Sequence, residues 1–324
     1  MGQVAKVRLA SLSQEVVTEA DAYRYLEGLR WGDEGARCPF CDGTDVHFIR
    51  PTNGVSRRST ARTMSEHRVW KCHLCRKQFS VLTGTIMHAT KIPVRTWVLV
   101  LFDMAASKNG ISAREVERRY GVTIKTAWHM LHRIRKAMAG GERLVTTMRG
   151  TIVSDETWYG ANPKWMHRNQ RPGRSGVSFK TPVLALVNAT TGEVRSRVLP
   201  TVTGATLRKV ISEQVDMADS QLWTDEAKWY METGREFLAH RTVNHALYQY
   251  VCNGVTTNQA EGYFAQLKRS ITGTHHHVSK VHLHRYLGKF DFRYSTCRMS
   301  DYGRMRTLAR QMEGRLSYRR AVAK

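Results

Sequence analysis

Apolar residues recur at helical spacing through the first part of the chain. Within residues 15–31, Ala22, Tyr25, Leu26 and Leu29 fall on one helical stripe, and Gly32, Asp33, Glu34 and Gly35 break it. Residues 50–66 are rich in Thr, Ser, Arg and Gly and show little periodicity, which suggests turns or a hairpin. After Pro93 the spacing predicts a largely apolar helix to about Ala106, stopped by Ser107, Lys108, Asn109 and Gly110. Ser112 and Glu115 have the spacing of a capping box at the start of a short helix that ends near Tyr120 and Gly121. A further helix, from about Thr123 to Ala139, carries Ile124, Ala127, Leu131 and Ile134 on one face. Three helices with short connections make a small trihelical unit.

The period changes near residue 150. Thr151 to Val153, Phe179 to Val187 and Glu193 to Leu199 read as strands, with a turn at Thr190, Thr191 and Gly192. A helix at about 205–215 and a short strand at Gln221, Leu222 and Trp223 follow, and Ala260, Phe264, Leu267 and Ile271 mark the buried side of a helix beginning at Asn258. Strands alternating with helices imply a mixed α/β sheet. At 324 residues the chain exceeds one ordinary domain, leaving room for a catalytic core beside smaller modules.

Charge narrows the choice of partner. Lysine plus arginine number 51 and aspartate plus glutamate 27, a net +24 at neutral pH, so nucleic acid is the default partner and an anionic membrane surface the lesser one. The longest apolar stretch, Trp97 to Met104, contains Asp103 and is too short to span a bilayer. Residues 1–20 lack the apolar core of a signal peptide, and Gly2 is followed at position 6 by Lys6 rather than Ser or Thr, so an intracellular location is expected. No GxxxxGK[ST] loop and no GxGxxG turn opening a βαβ unit occurs, which leaves a nucleotide-driven motor or dinucleotide enzyme without a motif.

Four of the six cysteines form two pairs, Cys38 with Cys41 and Cys72 with Cys75. Each pair is a Cys-x-x-Cys turn, and four soft thiolates delivered in twos are the donor set of a closed structural zinc site. An iron centre, redox pairs or unliganded core cysteines are the alternatives. The insert between the pairs carries Arg50, Arg57, Arg58, Arg62, Arg68 and Lys71, cations for phosphates or for a plain solvated loop.

In the trihelical unit, a helix-turn-helix arrangement would make Ala113 to Tyr120 the positioning helix and expose Lys125, Thr126, His129 and Arg133 to the major groove; an ordinary helical linker is the alternative. Asp155 and Asp225 each follow an apolar strand, and Glu261 sits early on the helix from Asn258. Carboxylates gathered from distant positions can hold divalent cations, usually magnesium, for phosphoryl chemistry, although Glu156, Asp216, Asp219 and Glu226 compete for the role. Between Glu156 and Glu193 there is no acidic residue, while Lys164, Arg168, Arg171, Arg174 and Lys180 fall there, as in a loop that follows a phosphate backbone or is simply solvated. Lys268 lies two turns beyond Glu261 on the same helix face and suits a phosphate contact. His275, His276, His277, His282 and His284 add groups for phosphate or core-edge roles, with a further metal site as the alternative.

These motifs together resemble the bacterial insertion-sequence transposases that join an amino-terminal zinc ribbon to a ribonuclease-H-like DDE catalytic domain. The resemblance lies in Leu29 to Cys41 and Val69 to Ser80 for the ribbon, and in Ile111 to Met138 for the helices. Asp155 to Gly160, Thr224 to Glu226 and Thr257 to Phe264 with Leu267, Lys268 and Arg269 resemble the three catalytic blocks, and His275 to Tyr294 the closing stretch. It implies Asp155, Asp225 and Glu261 as the catalytic, magnesium-holding trio, with manganese able to substitute. It also implies cleavage at terminal inverted repeats, strand transfer by the freed 3′-hydroxyl, double-stranded DNA as partner, and a homo-oligomer of at least two chains. A cytoplasmic, nucleoid-associated location goes with it. The expected organisation is a helix and zinc ribbon over 15–88, a helix-turn-helix-like module over 89–145, the ribonuclease-H-like α/β domain over 146–298 and a basic tail over 299–324. A metal nuclease that cuts without joining, and a non-catalytic DNA-binding regulator, are the competing functions.

Overall fold

The computed structural model describes residues 8–50, 67–140, 146–160, 180–244, 251 and 254–318. The chain divides into two compact units, Met1–Arg143 with Met299–Lys324, and Leu144–Arg298.

The first unit is organised around one apolar helix. Helix α1 spans Leu9–Glu15, and α2 spans Glu19–Trp31 behind a Thr18 cap whose hydroxyl accepts from the Asp21 N–H at 3.1 Å. Gly32, at φ +55°, takes the positive angle that ends α2. Strands β1 (Val46–Phe48), β2 (Trp70–Cys72) and β3 (Gln78–Phe79) form a small antiparallel sheet. Helix α3 (Val94–Ala106) buries nearly every side chain, because α1, α2 and α10 (Asp301–Arg310) all pack on it. Its first turn is capped from α2, where the Glu19 carboxylate accepts from the Val94 and Arg95 N–H groups.

Helices α4 (Ala113–Tyr120) and α5 (Ile124–Met138) complete the trihelical group expected from the periodicity. Ser112 caps α4 by accepting the Glu115 N–H at 3.2 Å, and Gly121 closes it at φ +65°. Buried Asp103 of α3 accepts from Arg119 Nη1 at 2.9 Å and from the Tyr120 hydroxyl at 2.8 Å, which fixes α4 against α3. None of the described helices is long and apolar enough to cross a membrane.

The second unit is a five-stranded mixed sheet in the order β6-β5-β4-β7-β8. The strands are β4 (Met148–Tyr159), β5 (Thr181–Asn188), β6 (Val194–Val198), β7 (Val215–Asp225) and β8 (Ala239–Val243). Strands β4, β5 and β6 pair antiparallel, whereas β7 lies parallel to both β4 and β8. Asn188 shapes the β5–β6 turn by accepting the Thr190 and Thr191 N–H groups at 3.0 and 2.9 Å. Helices α8 (Asn258–Ser270) and α9 (Lys280–Ser295) cover one face, where Val153, Val183 and Ala185 meet Ala260, Tyr263, Phe264 and Leu287. Helix α6 (Gly204–Gln214) serves the other, where Ile152, Leu184 and Leu222 meet Leu207 and Ile211. A short helix, α7 (Met231–Gly234), follows β7. The ribonuclease-H-like mixed sheet behind a cysteine-rich helical region is thus the expected fold class.

Candidate metal centres and nucleic-acid interface

The ribbon brings all four cysteines together. Cys38 and Cys41 lie on the turn before β1, while Cys72 closes β2 and Cys75 follows in the next turn. Sγ of Cys38 is 3.5 Å from that of Cys75, Sγ of Cys41 is 3.6 Å from that of Cys72, and all four sulfurs lie within 4.8 Å of one another. A zinc tetrahedron with bonds of ~2.3 Å has sulfur–sulfur edges of about 3.8 Å, so the donors fit a structural zinc ion. Below the sulfurs, Trp31 packs edge-on to Trp70 and Phe79. Buried Glu27 accepts from Trp70 Nε1 and Arg68 Nε, each at 2.9 Å, which ties α2 to the ribbon.

The carboxylates sit on the second unit. Strands β4 and β7 are in parallel register through Val153 and Trp223, and Asp155 and Asp225 each lie two residues further along. Side chains two apart share a sheet face, so both acids project toward the side that carries Val153 and is covered by α8. Glu261 occupies the first turn of α8 on that same side, exposed, with its Oε1 accepting from the Thr257 hydroxyl at 3.1 Å. Asp155 accepts the Glu156 N–H at 2.7 Å, and Asp225 the Ala227 N–H at 3.1 Å.

Among the described residues, the cysteines are the group of metal-ligating side chains drawn together tightly enough for an ion; the three carboxylates share a face without closing to that spacing. Like charges resist closer approach unless a cation offsets them. Asp155 is also not at a strand end as its flanking sequence suggests. Strand β4 continues to Tyr159 because β5 goes on pairing with it, and it is the ladder to β7 that stops before Asp155.

Glu156, one residue on, projects to the opposite face. There its carboxylate accepts from the Tyr230 hydroxyl, which also lies 3.0 Å from the buried Ser154 hydroxyl. Burial pushes the Glu156 carboxyl up to about 7; the Tyr230 hydrogen bond opposes the rise, and the charges of Asp155 and Asp225 add to it. Tyr230 is fully buried, and burial, then the Glu156 charge, hold its phenol well above the ordinary range. This Ser154, Glu156 and Tyr230 network was not readable from sequence, where Glu156 is merely a second acid beside Asp155.

The DNA-facing candidates fare differently from one another. Lys125 is exposed and Thr126 half-buried at the start of α5, its hydroxyl 3.0 Å from that of Thr123. Arg133 is 7% exposed and donates through Nε to the Leu316 carbonyl at 3.1 Å, while His129 Nε2 lies 3.2 Å from the same oxygen. Lys268 is exposed in the last turn of α8. Lys164, Arg168, Arg171 and Arg174 lie outside the described residues, as do Arg57, Arg58 and Arg62.

A four-cysteine ribbon ahead of a ribonuclease-H-like mixed sheet defines a DDE-transposase-like class of protein. Residues 147–295 match the ISXO2-like transposase domain and residues 17–78 the transposase zinc-ribbon domain, so the chain is of the IS1595 type, with an amino-terminal zinc ribbon and a DDE-like catalytic domain. It is 24% identical over 305 residues to an uncharacterized protein in transposable element ISH50 of Halobacterium salinarum, covering 90% of this chain and 96% of that protein. That relative is archaeal, so a bacterial source does not follow from it. A chain of a simian T-cell lymphotropic virus intasome in complex with a PP2A regulatory subunit matches at 16% identity, over 58% of this chain and 66% of its own, with a TM-score of 0.26. A score that low carries no weight for fold or function.

Proposed function

We propose that the chain is a DNA transposase that cuts at the terminal inverted repeats of its insertion sequence and transfers the freed 3′ end into target DNA. The observation that carries this reading is the β4–β7 register, which puts Asp155 and Asp225 each two residues beyond the last paired residues, on the face where α8 presents Glu261. Three carboxylates are a hard-oxygen donor set suited to magnesium, with manganese a chemical substitute. Bound there, the metal supplies charge neutralisation and activates water for cutting or a 3′-hydroxyl for joining. The chain's own part is positional. Asp155 and Asp225 are anchored by backbone N–H groups at 2.7 and 3.1 Å, and Thr257 orients Glu261.

Lys268, two turns along α8 from Glu261, is assigned a phosphate contact, and so are Arg168, Arg171 and Arg174. Residues 146–298 act as the catalytic domain, the ribbon and the trihelical module bind element ends, and residues 299–324 extend that DNA-handling part. Double-stranded DNA is the partner, and joining two ends in one event calls for at least a dimer.

The test is Asp155→Asn in a reconstituted assay with the DNA that flanks the gene. Cleavage and joining are expected to fall below detection while duplex binding persists. Strand transfer at the normal rate in that variant would sink the assignment. Mixing labelled pre-cleaved ends with plasmid then separates a transposase, which gives joined products, from a nuclease, which gives none.

A further inference from the structure

The face of α5 that the sequence offers to DNA is covered in part by residues 311–318. Met312 and Leu316 are buried, and residues 312–314 are tied to residues 84–86 by two backbone hydrogen bonds. The Ile86 N–H donates to the Met312 carbonyl at 2.8 Å, and the Gly314 N–H to the Gly84 carbonyl at 2.9 Å. Beyond that anchor the segment meets α5 side on. The Leu316 carbonyl engages Arg133 and His129, the Arg315 carbonyl accepts from Lys136 Nζ at 3.4 Å, and Tyr318 sits edge-on to Trp128 and His129 with ring centroids 6.4 and 5.4 Å apart.

A buried guanidinium committed to a carbonyl oxygen is not placed to reach a phosphate or a base edge. Arg133 is such a group, whereas Arg315 and Tyr318 project outward, Tyr318 at 45% exposure. The two segments together carry more basic than acidic side chains. Helix α5 contains no aspartate or glutamate and residues 311–318 contain one, Glu313, while the like charge of Arg315 bears on Arg133. A polyanion laid over the patch relieves that repulsion.

We propose that duplex DNA docks on a surface made of two segments, the first turns of α5 with Lys125 and Thr126, and the outward side chains of Arg315 and Tyr318. Arg133 and His129 are positioning residues that hold the second segment in place. Arg315 meets a backbone phosphate, and Tyr318 offers a hydroxyl and a ring edge to the sugar-phosphate backbone. The proposal rests on the DNA-binding reading above and deepens it.

The experiment titrates a fluorescein-labelled duplex with the full chain across a salt series, with melting temperature and zinc content as checks on folding. Arg315→Ala and Tyr318→Ala are each expected to weaken binding several-fold, and Arg315→Ala to lower the slope of log K against log salt by about one. Arg315→Lys is expected to recover most of that slope. Lys209→Ala, which removes an exposed cation from α6, is expected to change binding less than Arg315→Ala does. Arg133→Ala is expected to weaken binding too, and to add little to Arg315→Ala in the double variant, because both act through one segment.

Arg315→Ala and Tyr318→Ala variants that bind no more weakly than Lys209→Ala would overturn the two-segment surface while leaving DNA binding intact. Tighter binding in Arg133→Ala or Tyr318→Ala would also overturn it, by making the segment a cover over α5. A wild-type chain that binds no duplex would remove the DNA-binding reading itself.

Discussion

Asp291 of α9 is enclosed among hydrogen-bond donors. It accepts the Ser196 N–H at 2.9 Å, the Ser196 hydroxyl at 2.7 Å and the Tyr263 hydroxyl at 2.6 Å, and so joins β6, α8 and α9. Burial pushes its carboxyl up to about 6, against the pull of those hydrogen bonds. A carboxyl raised from 3.8 to about 6 binds its proton more tightly in the folded chain, so this contribution is full below pH 3.8 and declines as pH rises to about 6. Asp291→Asn keeps a carbonyl oxygen for the Ser196 N–H but puts an NH2, which accepts from neither, where the Ser196 and Tyr263 hydroxyls donate, at a cost of about 1–3 kcal/mol. The variant lacks the titration, so its deficit against wild type is expected to shrink between pH 4 and 6; urea midpoints across that range check it. In the sequence Asp291 is one of a few acids in a basic stretch. Its partners lie far away along the chain, and no local pattern carries such a contact. The strand placement of Asp155 and Asp225 was legible because a short apolar run, followed by Ser154 or Thr224, precedes each acid.

At the scale of elements, α2 to α6 and α8 were read from their periodicity, whereas α1, α7, α9, α10 and much of the sheet were not. Ser112, Thr123 and Thr203 each accept an N–H at the start of the helix they precede, a signal written in local sequence. Strand β4 shows only three residues of strand character to the eye but runs over twelve, because β5 and β7 flank it. In β7, Asp216, Asp219 and Ser220 interrupt Val215, Met217 and Ala218, and β8 holds His240, Arg241 and Thr242, so neither shows the apolar run of a buried strand. Gly150 marks the irregularity in the β4–β7 pairing at φ +98°, where a side chain strains the backbone. Gly150→Ala is expected to cost about 1–2 kcal/mol, read as a lower urea midpoint at unchanged m-value. In the ribbon, Cys72 is fully buried in β2, and Cys72→Ser is expected to lower zinc stoichiometry and the near-ultraviolet signal of Trp31 and Trp70. Normal zinc content in that variant would contradict the four-thiolate site.

For the whole molecule, the first unit is made of two stretches of chain separated by the second. Helix α10 belongs with α2 and α3, and buried Arg304 donates to the Ala105 carbonyl at 3.0 Å and the Met299 carbonyl at 2.7 Å. Removing residues 299–324 uncovers apolar surface on α3. The truncated chain is therefore expected to lose the cooperative melting of its first unit, while the isolated fragment 144–298 melts as a unit of its own. Retention of the first transition after truncation would count against that account. The pairing of distant stretches escapes sequence reading, since α10 carries a helical pattern with nothing to say which helices it meets.

The same discontinuity sets an order of events on the ribosome. Residues 1–143 emerge first but wait for α10 until the second unit has been made, roughly 8 to 30 seconds at ordinary elongation rates. During that interval α3 lacks one of its three covering helices. A nascent chain can thus complete the unit that carries Asp155, Asp225 and Glu261 before the unit that carries its ribbon.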